Sequence, residues 1–169
     1  MSLFLRAVNQ AMCTLAQEPN TVFVGQSTRY DGAAIFHSLK GVPIERRVEF
    51  PVAENLQLGY CTGLSLRGKL PICIFPRLDF LLLAADQLVN HLDKLPDWGW
   101  NPKVILRTRI GDKYPLNAGP QHTQDHSEAL SKMLTTVKVI RARTADEVTT
   151  AYTQALAAPR STLVIENPS

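Results

Sequence analysis

Residues 70–94 read LPICIFPRLDFLLLAADQLVNHLDK, a short apolar run followed by a long, mostly apolar stretch with helical spacing. The run at 70–75 has the length and the isoleucine content of a buried strand, and residues 79–94 form the most apolar predicted helix of the chain. A strand that leads directly into a helix is the repeating unit of parallel sheets, because parallel strands need a long crossover connection. This stretch therefore predicts an α/β fold.

The same alternation continues in both directions along the chain. The other predicted strands are 21–25, 47–50, 104–106, 137–140 and 161–165, and the other predicted helices are 3–17, 30–40, 52–67, 124–134 and 144–158. The strands are apolar throughout rather than alternating, which indicates a sheet that is covered on both faces. We expect a three-layer sandwich with a mostly parallel sheet of about six strands and helices on both faces.

Composition limits the class of protein. The 169 residues are 45% apolar and 20% charged, so we expect residues 1–169 to form one soluble globular domain. The net charge of +3 is too small to indicate nucleic acid or an anionic membrane as a partner. Three cysteines without a CxxC pair favour reduced thiols, and no signal peptide or membrane-spanning run is recognisable, so a cytoplasmic location is expected.

Ligands of parallel α/β sheets bind beyond the carboxyl ends of the strands, which draws attention to residues 51–59. Glu54 lies in the first turn of a predicted helix, where the helix dipole alone would explain an acidic residue. Gly59 and Gly63 follow in the same helix, and each costs about 1 kcal/mol relative to alanine. They indicate that another helix, from this chain or a partner, packs closely against this one.

The second notable segment is GPQHTQDH at residues 119–126. His122 and His126, with Asp125 between them, could be metal ligands on one face of a helix, but the other ligands of a zinc protease signature are absent, so no metal site is predicted. A single histidine acting as a proton donor is one interpretation, and a helix capped by Thr123 is the other. Trp98 and Trp100 are interpreted as pinning their loop to the body of the protein.

Several segments, taken in order, carry a resemblance to a known family. They are RRVEFPVAEN at 46–55, GYCTGLSLRG at 59–68, FPRLDF at 75–80, DQLVN at 86–90 and GPQHTQ at 119–124. In this order the chain resembles the pyrimidine-binding domain of thiamine diphosphate enzymes over nearly its whole length. It is most similar to the N-terminal part of the beta subunit of 2-oxo acid dehydrogenase decarboxylase components and to the middle domain of transketolases.

The resemblance implies roles for three residues. Glu54 would be the carboxyl group held against ring nitrogen N1′ of thiamine diphosphate, where it promotes the tautomer that removes the C2 proton. Phe80 would lie against the pyrimidine ring, and His122 would face C2 and act on the substrate. Glu54 and His122 are thus the predicted catalytic residues, Glu54 and Phe80 the predicted cofactor-binding residues, and no metal ligand is assigned to this chain.

The resemblance also implies a partner. In this family another domain holds the diphosphate and Mg²⁺ through a G-D-G segment, and Gly111-Asp112-Lys113 does not match that segment. We therefore expect a second subunit with the diphosphate and Mg²⁺ site, in a heterotetramer that also uses the 53–66 helix for self-association. The expected reaction is decarboxylation of a 2-oxo acid, or acyl or ketol transfer from a 2-oxo acid or ketose. The alternative is a non-catalytic regulatory or structural module that keeps the fold, and the lack of a glycine-rich phosphate loop counts against a flavodoxin-like protein.

Overall fold

The computed structural model describes residues 2–112 and 117–168, so Lys113 and part of the predicted 110–122 loop lie outside the described residues. Six strands form one sheet in the order β2-β1-β3-β4-β6-β5, and every neighbouring pair is parallel. The strands are β1 (Thr21–Gly25), β2 (Arg47–Glu49), β3 (Leu70–Ile74), β4 (Ile105–Arg109), β5 (Lys138–Ala142) and β6 (Thr162–Glu166).

Helices cover both faces of the sheet. They are α1 (Leu3–Leu15), α2 (Ala34–Ser38), α3 (Glu54–Leu66), α4 (Leu78–Leu81), α5 (Ser127–Met133) and α6 (Ala145–Ala157). The core is divided accordingly: α1, α2 and α6 pack on one face of the sheet, whereas α3, α4 and α5 pack on the other. The predicted three-layer α/β fold is confirmed.

Strand alternation explains the two cores. Successive side chains of a strand point to opposite faces, so each central strand supplies both. On the α3 side these residues are Val24, Cys73, Leu106 and Leu163, and on the α1 side they are Phe23, Ile72, Ile105 and Val164. All eight side chains are fully buried. Among residues 2–112 and 117–168, no helix combines the length and apolar character that crossing a membrane requires.

The apolar stretch at 79–94, which was predicted to be a single helix, is divided into several helical segments. It consists of α4, a 3-10 turn (Leu82–Ala84) and a π-helix (Gln87–Leu92), in which the Asp93 amide donates to the Leu88 carbonyl at 3.0 Å. A π turn holds one residue more than an α turn. The additional residue keeps Leu88 and Leu92 in the core while Asp93 reaches the neighbouring backbone.

Two local predictions are wrong. Thr123 does not cap a helix: its hydroxyl donates to the Gly119 carbonyl at 3.1 Å, and α5 begins only at Ser127. Trp98 and Trp100 do not pin their loop, since their exposed fractions are 64% and 57%. Gly99 between them has a φ of +84°, which ends the preceding 3-10 turn and leaves both indoles outside the core.

Asp93 joins the end of the π-helix to the segment before β5. Its fully buried carboxylate accepts hydrogen bonds from the backbone N–H groups of Thr135, Thr136 and Val137 at 2.8–3.1 Å, and it pairs with Lys94 at 2.9 Å. Burial opposes ionisation, but the bond from Val137 together with those from Lys94, Thr136 and Thr135 outweighs it. The pKa of Asp93 is therefore held well below its usual value.

We predict that Asp93→Ala lowers the free energy of unfolding by about 3 kcal/mol at neutral pH, because three backbone donors lose a charged acceptor. A depressed pKa contributes stability above the unfolded value of about 4 and loses it as the pH falls toward the folded value. The difference between wild type and Asp93→Ala should therefore shrink below about pH 4. Urea denaturation at several pH values measures it, with the exposed Asp97→Ala as control; a difference that is independent of pH would contradict the assignment.

Candidate active site

Glu54 occupies a protected position at the carboxyl edge of the sheet. It is the first residue of α3, and only 5% of its surface is exposed. The side chain of Gln26, directly after β1, donates from Nε2 to Glu54 Oε1 at 3.1 Å. Within the described residues, no hydrogen bond is made to Oε2. One carboxyl oxygen is thus fixed by the protein and the other is available.

The start of α3 is held by a second amide side chain. Gln57, one turn after Glu54, is fully buried and donates from Nε2 to the Ile74 carbonyl at the end of β3, at 3.0 Å. Its Oε1 is buried without a partner among the described atoms. Gln57 therefore ties the helix to the strand and keeps Glu54 at a fixed height above the sheet.

Phe80 and His122 lie together. Phe80 belongs to α4, His122 lies in the loop between β4 and α5, and their ring centroids are 5.3 Å apart at an interplanar angle of 83°. This edge-to-face arrangement is favourable for aromatic rings. Both side chains are half-buried, so each keeps a surface that a ligand could contact.

Two contacts hold the loop that carries His122. The Gly111 amide donates to the His122 carbonyl at 3.1 Å, and a Cβ built on Gly111 would lie only 2.0 Å from that carbonyl oxygen. Asp79, next to Phe80, accepts at Oδ1 from the backbone and side-chain N–H groups of Gln124, at 3.3 and 3.0 Å. The backbone approach at Gly111 and the carboxylate of Asp79 thus place His122 against Phe80.

A cavity of about 400 Å³ opens beside this ring pair. Ser27, Arg77 and Arg109 are among the residues that line it, together with Phe80 and His122. Glu54 is not among the lining residues. Phe80 and His122 therefore lie together at the cavity, while Glu54 lies beside Gln26, whose neighbour Ser27 lines the same cavity.

Buried charges form the floor of this cavity. Arg107 and Glu166 make an ion pair at 2.8 Å, and the Tyr152 hydroxyl donates to the same Glu166 oxygen at 2.7 Å. Burial opposes the charge of Arg107, but the Glu166 carboxylate outweighs burial and raises the pKa of Arg107. Burial, and then the charge of Glu166, raise the pKa of Tyr152. The floor therefore pairs the buried guanidinium of Arg107 with the carboxylate of Glu166.

Arg77 is a cation at the cavity, and the carboxylates of Asp112 and Asp79 lie near enough to favour its charged form. Arg109 pairs with Asp112, whereas Arg77 makes no ion pair with the described residues and donates only to the Pro76 carbonyl, at 2.9 Å. Its Nε is buried without a partner. Burial, and next the neighbouring charge of Arg109, lower the pKa of Arg77. The cavity thus offers a desolvated cation to a ligand.

Metal ligation receives no support at the histidines. His126 precedes the first residue of α5 and His122 lies in the loop before it, so the two do not share a helical face. In the part of the chain that the structure describes, no group of three histidine, cysteine or acidic side chains is placed to hold a metal ion.

The sequence predicts Glu54, Phe80 and His122 as site residues, but it did not indicate the side chains that contact them or hold their segments. Gln26, Gln57 and Asp79 each stand just after a strand or one turn into a helix that follows one. Their position near the carboxyl ends of predicted strands was the one sequence feature that could have indicated them as site residues. Their individual partners depend on distances across the sheet that no local pattern encodes.

The architecture places the chain in a structural class. Its backbone matches a solved split-gene transketolase, described as an inactive beta4 tetramer, with a TM-score of 0.74, over 98% of this chain and 51% of that chain. The two sequences are 22% identical, so this likeness establishes a transketolase-like domain fold. The family model described as "Transketolase, pyrimidine binding domain" matches residues 4–168, and the chain belongs to this family. Enzymes of this family depend on thiamine diphosphate.

Curated relatives agree with that assignment. The mitochondrial pyruvate dehydrogenase E1 component subunit beta of Chaetomium thermophilum is 26% identical over 168 residues, which cover 95% of this chain and 43% of that protein. The corresponding subunit of Mycoplasma genitalium is 26% identical over 131 residues, 75% of this chain and 39% of that protein. The chain thus spans less than half the length of these relatives.

We predict that Asp79→Ala loosens the loop that carries His122, because Gln124 loses its acceptor. Amide hydrogen exchange at residues 119–124 should accelerate about tenfold or more, as expected when a hydrogen bond to a charged group is removed. Asp79→Asn keeps an oxygen acceptor at Oδ1 and should retain most of the protection. Unchanged exchange in Asp79→Ala would mean that the loop is held by other contacts.

Proposed function

We propose that residues 1–169 form a pyrimidine-binding subunit of a two-component thiamine diphosphate enzyme. The observation that carries the proposal is Glu54, a buried carboxyl group with one oxygen bonded by Gln26 and the other without a protein partner. A buried carboxyl group with an available oxygen suits a ligand that offers a ring nitrogen and a shared proton.

The residues present fit the cofactor at two points. Glu54 would hold a proton between its available oxygen and the pyrimidine ring, with Gln26 fixing the orientation of the carboxyl group. Phe80 would provide an aromatic surface for that ring, since its side chain is only half-buried. Thiamine diphosphate, when bound, supplies an electron sink for making or breaking a bond next to a carbonyl group.

His122 and the cavity would serve the substrate. The imidazole of His122 has ring nitrogens that can donate a proton to a substrate oxygen or accept one from it. The proposed reaction is decarboxylation of a 2-oxo acid, or transfer of an acyl or ketol unit from a 2-oxo acid or ketose. The unpaired charge of Arg77 at the cavity supports a substrate with an acidic group.

The proposal includes a second subunit that would hold the diphosphate and Mg²⁺. It is supported by the similar proteins, which are beta subunits of pyruvate dehydrogenase E1 components and a split-gene transketolase. The proposed assembly is a heterotetramer. Exposed apolar side chains support association at α3: Leu56 and Tyr60 of this helix are 64% and 41% exposed, and Val52, just before it, is 79% exposed. A Cβ at Gly63 would meet no atom within 4 Å, which leaves room for another helix.

We predict that Glu54→Gln slows deuterium exchange at C2 of thiamine diphosphate by about a hundredfold or more in the assembled enzyme, because the amide cannot share an acidic proton. Glutamine keeps an oxygen for the bond from Gln26, so the fold should be unaffected. Exchange is followed by proton NMR of the cofactor after acid quench, with the exposed Glu128→Gln as control. Wild-type exchange in Glu54→Gln would favour the non-catalytic module.

We predict that Leu56→Arg weakens association through α3 at least tenfold, because a charge would replace an apolar side chain in the contact. Sedimentation equilibrium of the chain, alone and with the second subunit, measures the association. Leu3→Arg is the matched control, since Leu3 is 75% exposed on α1, on the opposite face of the sheet. Equal behaviour of the two variants would exclude α3 as the interface.

A further inference from the structure

The turn after β1 contains a strained residue. Ser27 has a φ of +59°, and it is the one non-glycine residue with a positive φ in the ranges 2–112 and 117–168. L-residues avoid this region because Cβ crowds the carbonyl oxygen, so the conformation persists only where neighbouring contacts impose it. Such residues concentrate at functional sites, and Ser27 lines the cavity beside Phe80 and His122.

Glu49 imposes this conformation. Its carboxylate accepts hydrogen bonds from the Ser27 amide at 2.5 Å, the Arg29 amide at 2.7 Å and the Thr28 hydroxyl at 3.1 Å. A turn with a positive φ directs successive N–H groups toward one anion, and Glu49 fills the place of that anion. Glu49 itself is fixed as the last residue of β2, in register with Gly25 of β1.

The turn that Glu49 binds is connected to Glu54 by a hydrogen bond. Gln26 is the first residue of the turn and donates to Glu54 Oε1 at 3.1 Å. The strand before it approaches β3 closely, since a Cβ on Gly25 would lie 2.6 Å from the Ile74 carbonyl oxygen. Gln26 thus lies between two restrained residues. Gly25 packs closely on β3, and Ser27 is hydrogen-bonded to Glu49, so the orientation of the Gln26 backbone is restricted.

We propose that Glu49 is a positioning residue for Glu54, acting through the strained turn 26–29 and the side chain of Gln26. The conformation of Gln26 is a property of this chain alone, whereas its effect on the cofactor rests on the function proposed above for Glu54. The two parts can therefore be tested separately.

The first test uses the full chain and the side-chain amide signals of Gln26 in ¹⁵N–¹H NMR spectra. Glu49→Ala should shift these signals toward the values of a solvated glutamine and accelerate amide exchange at Ser27 and Arg29 at least tenfold. Glu45→Ala is the matched control, an exposed glutamate just before β2. If Glu49→Ala does not fold, Glu49→Gln, which retains one acceptor oxygen, replaces it.

A rescue distinguishes positioning from general stability. Glycine adopts a positive φ without the penalty of a side chain, so Ser27→Gly should restore most of the native Gln26 signal in the Glu49→Ala background. Restoration supports the proposal. The proposal is overturned if the Gln26 signals stay native in Glu49→Ala, even if that variant is less stable. It is also overturned if Ser27→Gly does not restore the signals.

The second test measures C2 exchange of thiamine diphosphate in the complex with the second subunit. Glu49→Ala should slow exchange about ten- to hundredfold, with less change in cofactor affinity, and Ser27→Gly should recover the rate. If Gln26 moves as expected but neither Glu49→Ala nor Glu54→Gln alters exchange, the proposed role of Glu54 fails. If only Glu54→Gln alters exchange, Glu49 is not a positioning residue for it.

Discussion

A parallel sheet leaves backbone N–H groups free where its strands end, and carboxylates satisfy several of them here. Glu49 binds the turn after β1, and Asp79 binds the loop after β4 through Gln124. Glu49 is the last residue of β2, whereas Asp79 lies in α4, the helix that follows β3. The loops at this edge therefore owe their shape to acidic side chains rather than to regular secondary structure, and the candidate site is built on those loops.

The ion pair of Arg107 and Glu166 differs from these carboxylates, because it does not bind a loop. Removing two charges from water is costly, and a buried ion pair seldom adds net stability. Here the pair also joins α2 through Ser38 and α6 through Tyr152, at 2.7 Å each. It therefore specifies how two helices and two strands meet beneath the cavity.

The order of strands and helices could be predicted from sequence because each short apolar run and each helical repeat depends on local spacing. The capping box of α6, with Thr144 and Glu147, is local in the same way. The division of residues 78–92 into three kinds of helix could not be predicted. It depends on the hydrogen bonds that Asp93 makes with the backbone of residues 135–137, far along the chain. The same limit applies to the site: Glu54 lies in a recognisable segment, but its bond from Gln26 joins residues that are 28 positions apart.

The π-helix at Gln87–Leu92 influences how this segment can change in length during evolution. Deleting one of its residues would yield a regular α-helix with good local geometry. Because a π turn holds one residue more than an α turn, the residues before and after the deletion would keep nearly the same orientation about the helix axis. Asp79 and Asp93 would still face the backbone groups that they bind. The same deletion in a regular helix such as α6 would rotate the following residues by about 100°, so single-residue deletions should be found more often at Gln87–Leu92 than in the regular helices of homologues.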